Sequence, residues 1–476
     1  MMWSKNPETA DALRFWLPAA LGVLFCIFVG KLAVESASPL FVAFMLSLGA
    51  AALTFYSPKL GLGLLVFSML LSPRLKGAAI GSAGAGGWGG SIELRMDDIL
   101  LAVVTCAWMA RTAVLKRGAF LVSTPIHLPV FVYTCLCVVS TAFAVIRGDL
   151  EMARPFFFVL KYVEYFLLFF MTVNVVETRE DIRRYLWAAW VVAALVTLYG
   201  YVQIPSGQRV STPFETPIPL TNFRMQEAAV NEANTYGGYF LVVFGVLLAL
   251  FTQGGARLSR FALLSFLWML LPFVMSLSRS SYIGLLVLIL FFLSATRKKR
   301  LSLLAGLGMA GLLTFMTPGV REAAVHRVAE TFPAGGWGDS DSGGVRLEAS
   351  AQARISSAQN VLHRYFTKHP ILGVGVTGAG MVDTHLPRVL GETGLLGLWA
   401  FLWMILRLVR MGWGLFRSSQ DVLSMALGLG LAATTAALCA HSLGANTFII
   451  VRIAEPFWFL AGITARLYMP GRSSEA

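Results

Sequence analysis

Charge is what this sequence lacks. Only 13% of its 476 residues are Asp, Glu, Lys or Arg, against 57% hydrophobic ones, where a soluble chain carries roughly 25% and 45–50%. The mean hydropathy is +0.71. About fourteen helices of some twenty residues would use more than half the chain, so no large soluble domain fits beside them. A cytosolic enzyme and a nucleic-acid binder are thereby excluded. Cysteine is scarce as well: Cys26, Cys106, Cys135, Cys137 and Cys439 all fall in apolar runs, where a thiol acts as a small hydrophobe, and no disulfide framework is expected. Metal-ligand spacing is missing too. Cys135 and Cys137 point about 200° apart on a helix, the histidines show no zinc pattern, and Asp339 and Asp341 lack the closing acid of a calcium loop. A signal-peptide cleavage site is also wanting after the run from Phe15 to Val34, which reads as a retained first helix.

What is present is a succession of apolar runs bounded by charge. Spans are expected near 17–34, 39–56, 60–72, 97–115, 128–146, 155–176, 185–204, 234–252, 260–278, 280–296, 301–317, 387–409, 421–444 and 447–467, an all-α polytopic membrane protein. With the N-terminus in the cytoplasm, about twenty Lys and Arg fall inside and about ten outside, so both termini are placed in the cytoplasm. The net charge of +13 is thus read as topology rather than as a nucleic-acid footprint. The chain divides into transmembrane helices 1–11 over residues 1–317, a large external loop over 318–386, and helices 12–14 over 387–476. Ser72 to Met96 is Gly-rich and expected to be flexible. Within the large loop, Leu347, Ala351, Ile355, Ala358, Leu362 and Phe366 recur at helical steps, predicting an amphipathic helix that rests on the outer membrane surface or caps the bundle.

In such a protein the informative residues are ionisable ones that loop solvation does not explain, because charge in hydrocarbon is expensive unless paired or facing water. Arg279 sits in Ser276-Leu277-Ser278-Arg279-Ser280-Ser281-Tyr282, a polar break between two spans. It reads equally as a turn arginine and as a fixed guanidinium for phosphate oxygens. Arg224 lies in Asn222-Phe223-Arg224-Met225-Gln226-Glu227, ahead of Asn231-Glu232-Ala233-Asn234, which also reads as a plain helix start. A third stretch joins Leu372-Gly373-Val374-Gly375, Asp383-Thr384-His385-Leu386-Pro387-Arg388 and Glu392-Thr393-Gly394-Leu395-Leu396-Gly397. There the glycines permit close backbone approach, Asp383 or His385 offers a general base, Arg388 adds positive charge, and Glu392 either caps the helix or meets an acceptor. Arg354, on the external amphipathic helix, reads as a solvated residue or a third phosphate contact. Lys161 and Glu164, three apart, are expected to pair with each other.

These pieces together resemble the O-antigen polymerase and ligase family of bacterial envelope glycosyltransferases, most closely from Pro205 to Phe401. The resemblance implies a GT-C-like, metal-independent transferase of the bacterial inner membrane, with no cofactor, whose active site faces the periplasm. Its donor would be an oligosaccharide on undecaprenyl diphosphate, with the lipid bilayer and a chain-length regulator as partners. Arg224 and Arg279 would hold the donor diphosphate, with Arg388 and Arg354 as further contacts and Glu392 in support. Ligases of the family carry a His eleven residues before the first glycine of the Gly-x-x-Gly pair; here that count from Gly394 lands on Asp383, with His385 two residues late. A polymerase is therefore expected, ahead of a ligase acting on lipid A core or a protein, and ahead of a transporter or flippase of the lipid-linked glycan.

Overall fold

The computed structural model describes residues 39–72, 74–80, 92–115, 122–206, 209–213, 233–296, 299–316, 349–380 and 382–469. The expected span at 17–34, Arg224 and the Asp339–Asp341 stretch lie outside the described residues. Fourteen α-helices are found among those described. The first group comprises α1 (Pro39–Tyr56), α2 (Pro58–Leu71), α3 (Met96–Val114), α4 (His127–Ile146), α5 (Ala153–Val175), α6 (Arg179–Gln203) and α7 (Ala233–Gln253). The second comprises α8 (Ala256–Met275), α9 (Arg279–Ala295), α10 (Arg300–Met316), α11 (Ala349–Asn360), α12 (His385–Ser418), α13 (Val422–His441) and α14 (Val451–Tyr468). Seven of them, α4 to α8, α12 and α13, are long and apolar enough in themselves to cross a membrane. The chain is a polytopic membrane protein.

Between α2 and α3, strands β1 (Arg74–Ile80) and β2 (Ile92–Arg95) pair antiparallel, Arg74 opposite Arg95 and Ile80 opposite Ile92. The two strands flank residues 81–91, which hold most of the glycines of the stretch expected to be flexible and lie outside the described residues. Helix starts follow local chemistry: Pro58 opens α2, where a missing N–H costs nothing, and Thr178 and Asp181 close a capping box on α6. Asp421 caps α13 through Ser424 N.

The connections sort into two faces. On one, here called the basic face, Lys59 at the start of α2 pairs with Asp181 at 2.8 Å and Glu177 at 3.1 Å at the start of α6. Arg179 pairs with Asp421 at 3.0 Å, and Lys299 donates to the Phe251 and Gly254 carbonyls at the end of α7. On the opposite face, Arg452 at the start of α14 is buried and donates to the Pro213 and Ser72 carbonyls, at 2.7 and 3.2 Å, which ties α14 to the end of α2 and to the segment that follows α6. Between the faces α7 is the central helix, its Tyr236, Phe240 and Phe244 fully buried. Where apolar lipid supplies no hydrophobic drive between helices, close approach supplies contact instead. At Gly412 of α12 and Gly428 of α13 an added Cβ would stand 2.6 Å from the other's carbonyl oxygen, so the two backbones touch there.

One expected pairing is different. Lys161 bonds Asp98, from the first turn of α3, and not Glu164, whose Oε2 is buried without a hydrogen-bond partner. A contact across two helices supplants the one along a helix, because the start of α3 brings its carboxylate directly to the buried Lys161 side chain.

Candidate active site

The face opposite the basic one gathers most of the candidate residues, in two halves. The first half is built by the glycine stretch. Gly394 has φ +64° and ψ −163°, which breaks α12 into two helices. Only glycine adopts this conformation readily, and a Cβ would run into the Ile371 carbonyl. Residues 370–375 lie along this break. Leu395 N donates to Pro370 O at 2.9 Å, Val374 N to Gly391 O at 3.0 Å and Gly375 N to Glu392 O at 2.9 Å. Glu392 is 2% exposed, and its Oε1 accepts from Thr377 N and from Arg388 Nε, both at 2.9 Å. From α4, Ser140 Oγ bonds the Glu392 and Leu372 carbonyls and accepts the Gly375 N–H, while Thr141 Oγ1 accepts from Val376 N. Arg388 therefore arrives with its charge already countered by Glu392, its guanidinium 5.5 Å from the Phe158 ring centre. This half is a clamp.

The second half centres on the turn between α13 and α14. Arg279 is the first residue of α9, behind the N-cap Ser278, whose Oγ accepts from Ser281 N. Asn234 Oδ1, one residue into α7, accepts from Ser278 Oγ at 2.7 Å and Ser280 Oγ at 3.3 Å. The turn before α9 is strained: Leu277 has φ +51°. Arg209 holds it, donating to the Ser276 and Leu277 carbonyls at 3.1 and 3.0 Å, a cost of about 1–3 kcal/mol that persists only where the surroundings over-determine the backbone. Beside this corner lies Gly444. A Cβ built there would stand 2.9 Å from Ser280 Cβ and 3.8 Å from Arg354 Nη1. The α11 arginine thus reaches the Ser278–Ser281 corner.

The same turn holds the two candidate bases. His385 N donates to Ser442 O at 3.1 Å and Asn446 Nδ2 to Val382 O at 2.5 Å, so residues 382–385 are docked on either side of Gly444. Asp383 is exposed there. His385 is 0% exposed, its ring packed 5.0 Å from Phe401 and 5.3 Å from Phe448 by centroid, with neither ring nitrogen hydrogen-bonded. The two candidates are two residues apart and point into different surroundings.

The amphipathic helix is α11, prolonged by a π-helical turn at Val361–Phe366. Its packed side differs from the stripe read in the sequence: Ile355 and Leu362 are exposed, whereas Val361 is buried against Val374, Ala379 and Val382. This element rests on the glycine loop through Val361 and turns Ile355 and Leu362 outward. Three residues had no sequence signal for their place. Arg209 looked like a loop arginine and Asn234 like part of a helix start. His441 lacked any motif, yet it is buried at the end of α13, bonded to Thr447 Oγ1 at 2.8 Å and 3.2 Å from the Cβ position of Gly238. Arg279, in the Ser-Leu-Ser-Arg-Ser-Ser string, together with Arg354, Asp383 and His385, is what the sequence offers at this corner.

Residues 264–402 match the family model described as O-Antigen ligase. That stretch runs from within α8 to the first half of α12 and includes Arg279, Arg354, Asp383, His385, Arg388 and Glu392. No curated protein matches the chain. With its several membrane-crossing helices, the chain carries the O-antigen ligase and polymerase family domain and is a membrane glycosyltransferase that uses a lipid-linked glycan.

Proposed function

We propose that the protein is a polysaccharide polymerase, transferring the glycan of an undecaprenyl-diphosphate donor onto the lipid-linked repeat unit of an acceptor at the periplasmic face of a bacterial inner membrane. The observation that carries this reading is the exposure of Asp383 on the turn where Arg354 meets the Ser278–Ser281 corner, while His385 is enclosed by Phe401 and Phe448. The position of the ligase histidine is thereby taken by an exposed carboxylate beside that corner.

The chemistry follows from that arrangement. Asp383 accepts the proton of an acceptor hydroxyl as its oxygen attacks the anomeric carbon, and the bond from that carbon to the diphosphate oxygen breaks. The departing diphosphate takes up negative charge. Arg279 and Arg354 meet it, aided by the positive end of α9, whose first turn opens at Arg279. Guanidinium groups fixed before reaction stabilise charge as it develops without reorganising. Arg224 is assigned to the same diphosphate from its family resemblance, and Arg388 with Glu392 to holding the glycine loop. One displacement without a covalent intermediate inverts the anomeric centre. The alternative, ligase action on lipid A core or a protein, would use the same charges with a different acceptor.

Purified protein given a lipid-linked oligosaccharide as its sole glycan distinguishes them. A ladder of products on the carrier lipid is expected, with the new linkage inverted relative to the donor by NMR. Transfer only to a non-isoprenoid acceptor would show a ligase, and retention of the anomer would rule out single displacement.

A further inference from the structure

The described helices form a cavity that no residue of the glycine loop lines. It has a volume of about 390 Å³ and is walled by α2, α6, α7, α8 and α14, with the start of α13. Along α7 its lining runs from Tyr239 to Leu250, about 16 Å of helical rise, which is the depth of one leaflet of a roughly 30 Å hydrocarbon core. The deep end is apolar, at Met69, Tyr239 and Pro456. The shallow end lies on the basic face, where Arg183 and Asp421 line the mouth.

The charges there are unequal in what they can offer. Asp421 gives one oxygen to Arg179 and the other to Ser424 N and Oγ. Burial pushes its carboxyl up, but the Ser424 bonds and the neighbouring Arg179 and Arg183 outweigh that and hold it below the usual carboxylate range. Arg183 is exposed. Arg257 and Arg260, also exposed, flank Leu258 and Phe261 on the first turn of α8, and both of these line the cavity. The N-cap of α8 is Gly255, which supplies no side-chain acceptor to the first N–H groups of this helix. At interface depth stand Trp187, half exposed, and Trp190, with ring centroids 5.5 Å apart and both packed on Phe261, as aromatic residues do at headgroup level.

An apolar slot one leaflet deep, open at a cationic mouth, matches an amphiphile with one negative end. The basic face is the cytoplasmic one by the distribution of Lys and Arg, and that leaflet is the one rich in anionic lipid. We infer that this slot binds one acyl chain of an anionic glycerophospholipid from the cytoplasmic leaflet, with the headgroup phosphate held at Arg183, Arg257 and Arg260. The inference concerns a site separate from glycosyl transfer and is read without it.

Native mass spectrometry of the full-length protein, stripped of lipid and then offered phosphatidylglycerol, phosphatidylethanolamine and undecaprenyl phosphate together, tests it. One phosphatidylglycerol per chain should be retained in preference to the other two. Arg183→Ala, a change at an exposed position, should lower the preference for phosphatidylglycerol over phosphatidylethanolamine about fivefold. Ala189→Phe, which places a ring in the slot, should abolish retention of any lipid. The proposal is overturned if Arg183→Ala leaves the preference unchanged, if a folded Ala189→Phe protein retains phosphatidylglycerol as before, or if undecaprenyl phosphate displaces it. Should Ala189→Phe not fold, the Arg183→Ala result decides alone.

Discussion

The two halves of the candidate site are made of different materials. Around Gly394 the polar groups are cross-bonded to one another: Glu392 satisfies Thr377 and Arg388, and Ser140 joins two carbonyls and an N–H. Around Gly444 the hydroxyls and Asn234 brace a helix start, and they leave an exposed carboxylate at Asp383. The most conspicuous motif of the sequence, the glycine-rich string with its glutamate, thus builds the scaffold, and the proposed chemistry is assigned to the plainer half. A residue whose hydrogen bonds are used up within the protein is suited to position others, whereas one open to the cleft is suited to meet substrate.

Substitutions that treat the halves differently would break or sharpen this contrast. The largest effect is expected at Gly394→Ala. A Cβ there collides with backbone in a conformation that L side chains avoid, so the protein should lose at least about 3 kcal/mol of stability, visible as a fall in detergent-solubilised yield and melting temperature along with activity. Arg279→Ala should act on rate rather than on folding. If it holds the departing diphosphate, transfer falls about 10²–10³-fold at unchanged melting temperature, the cost of one preorganised donor. Arg279→Lys should recover only part, since an ammonium lacks the planar fork.

Glu392→Gln is expected to be intermediate and of the opposite character. The amide still accepts from Thr377 N but leaves Arg388 without its counter-charge, costing about 1.5–3 kcal/mol in thermal stability with a smaller loss of rate. The smallest effect should come from the basic face. Lys59→Ala removes a half-exposed ammonium from the exposed Glu177 and the buried Asp181, whose Oδ2 keeps the Glu177 and Thr178 N–H groups, and both activity and melting temperature should move little, by about 1 kcal/mol. A large loss of transfer there would erase the distinction between the two faces.

The sequence makes the spans legible because a run of apolar residues must be helical to satisfy its backbone in lipid. Thirteen of the expected spans correspond to described helices, among them 97–115 to α3, 128–146 to α4 and 234–252 to α7, within a few residues. Others are less well bounded: α12 continues to Ser418, well past the expected 409, because Arg410 and Arg417 lie at its solvent end and interrupt the hydropathy without interrupting the helix. What the sequence hides is set by contacts between distant segments. The partner of Lys161 is 63 residues away at Asp98. The burial of His385 depends on Phe448, and the proximity of Arg354 to Ser280 depends on a glycine at 444. No local pattern encodes such meetings. The two candidate bases, two residues apart in sequence, differ in surroundings that the sequence does not display.

Comparing Asp383→Asn with His385→Phe in the polymerisation assay, at matched folding, tests the central claim most directly. With Asp383 as the base, Asp383→Asn should lower the rate about 10²–10⁴-fold while His385→Phe, an apolar ring in an aromatic pocket, keeps most of it. Near-normal polymerisation by Asp383→Asn, with loss of it in a folded His385→Phe protein, would contradict the account.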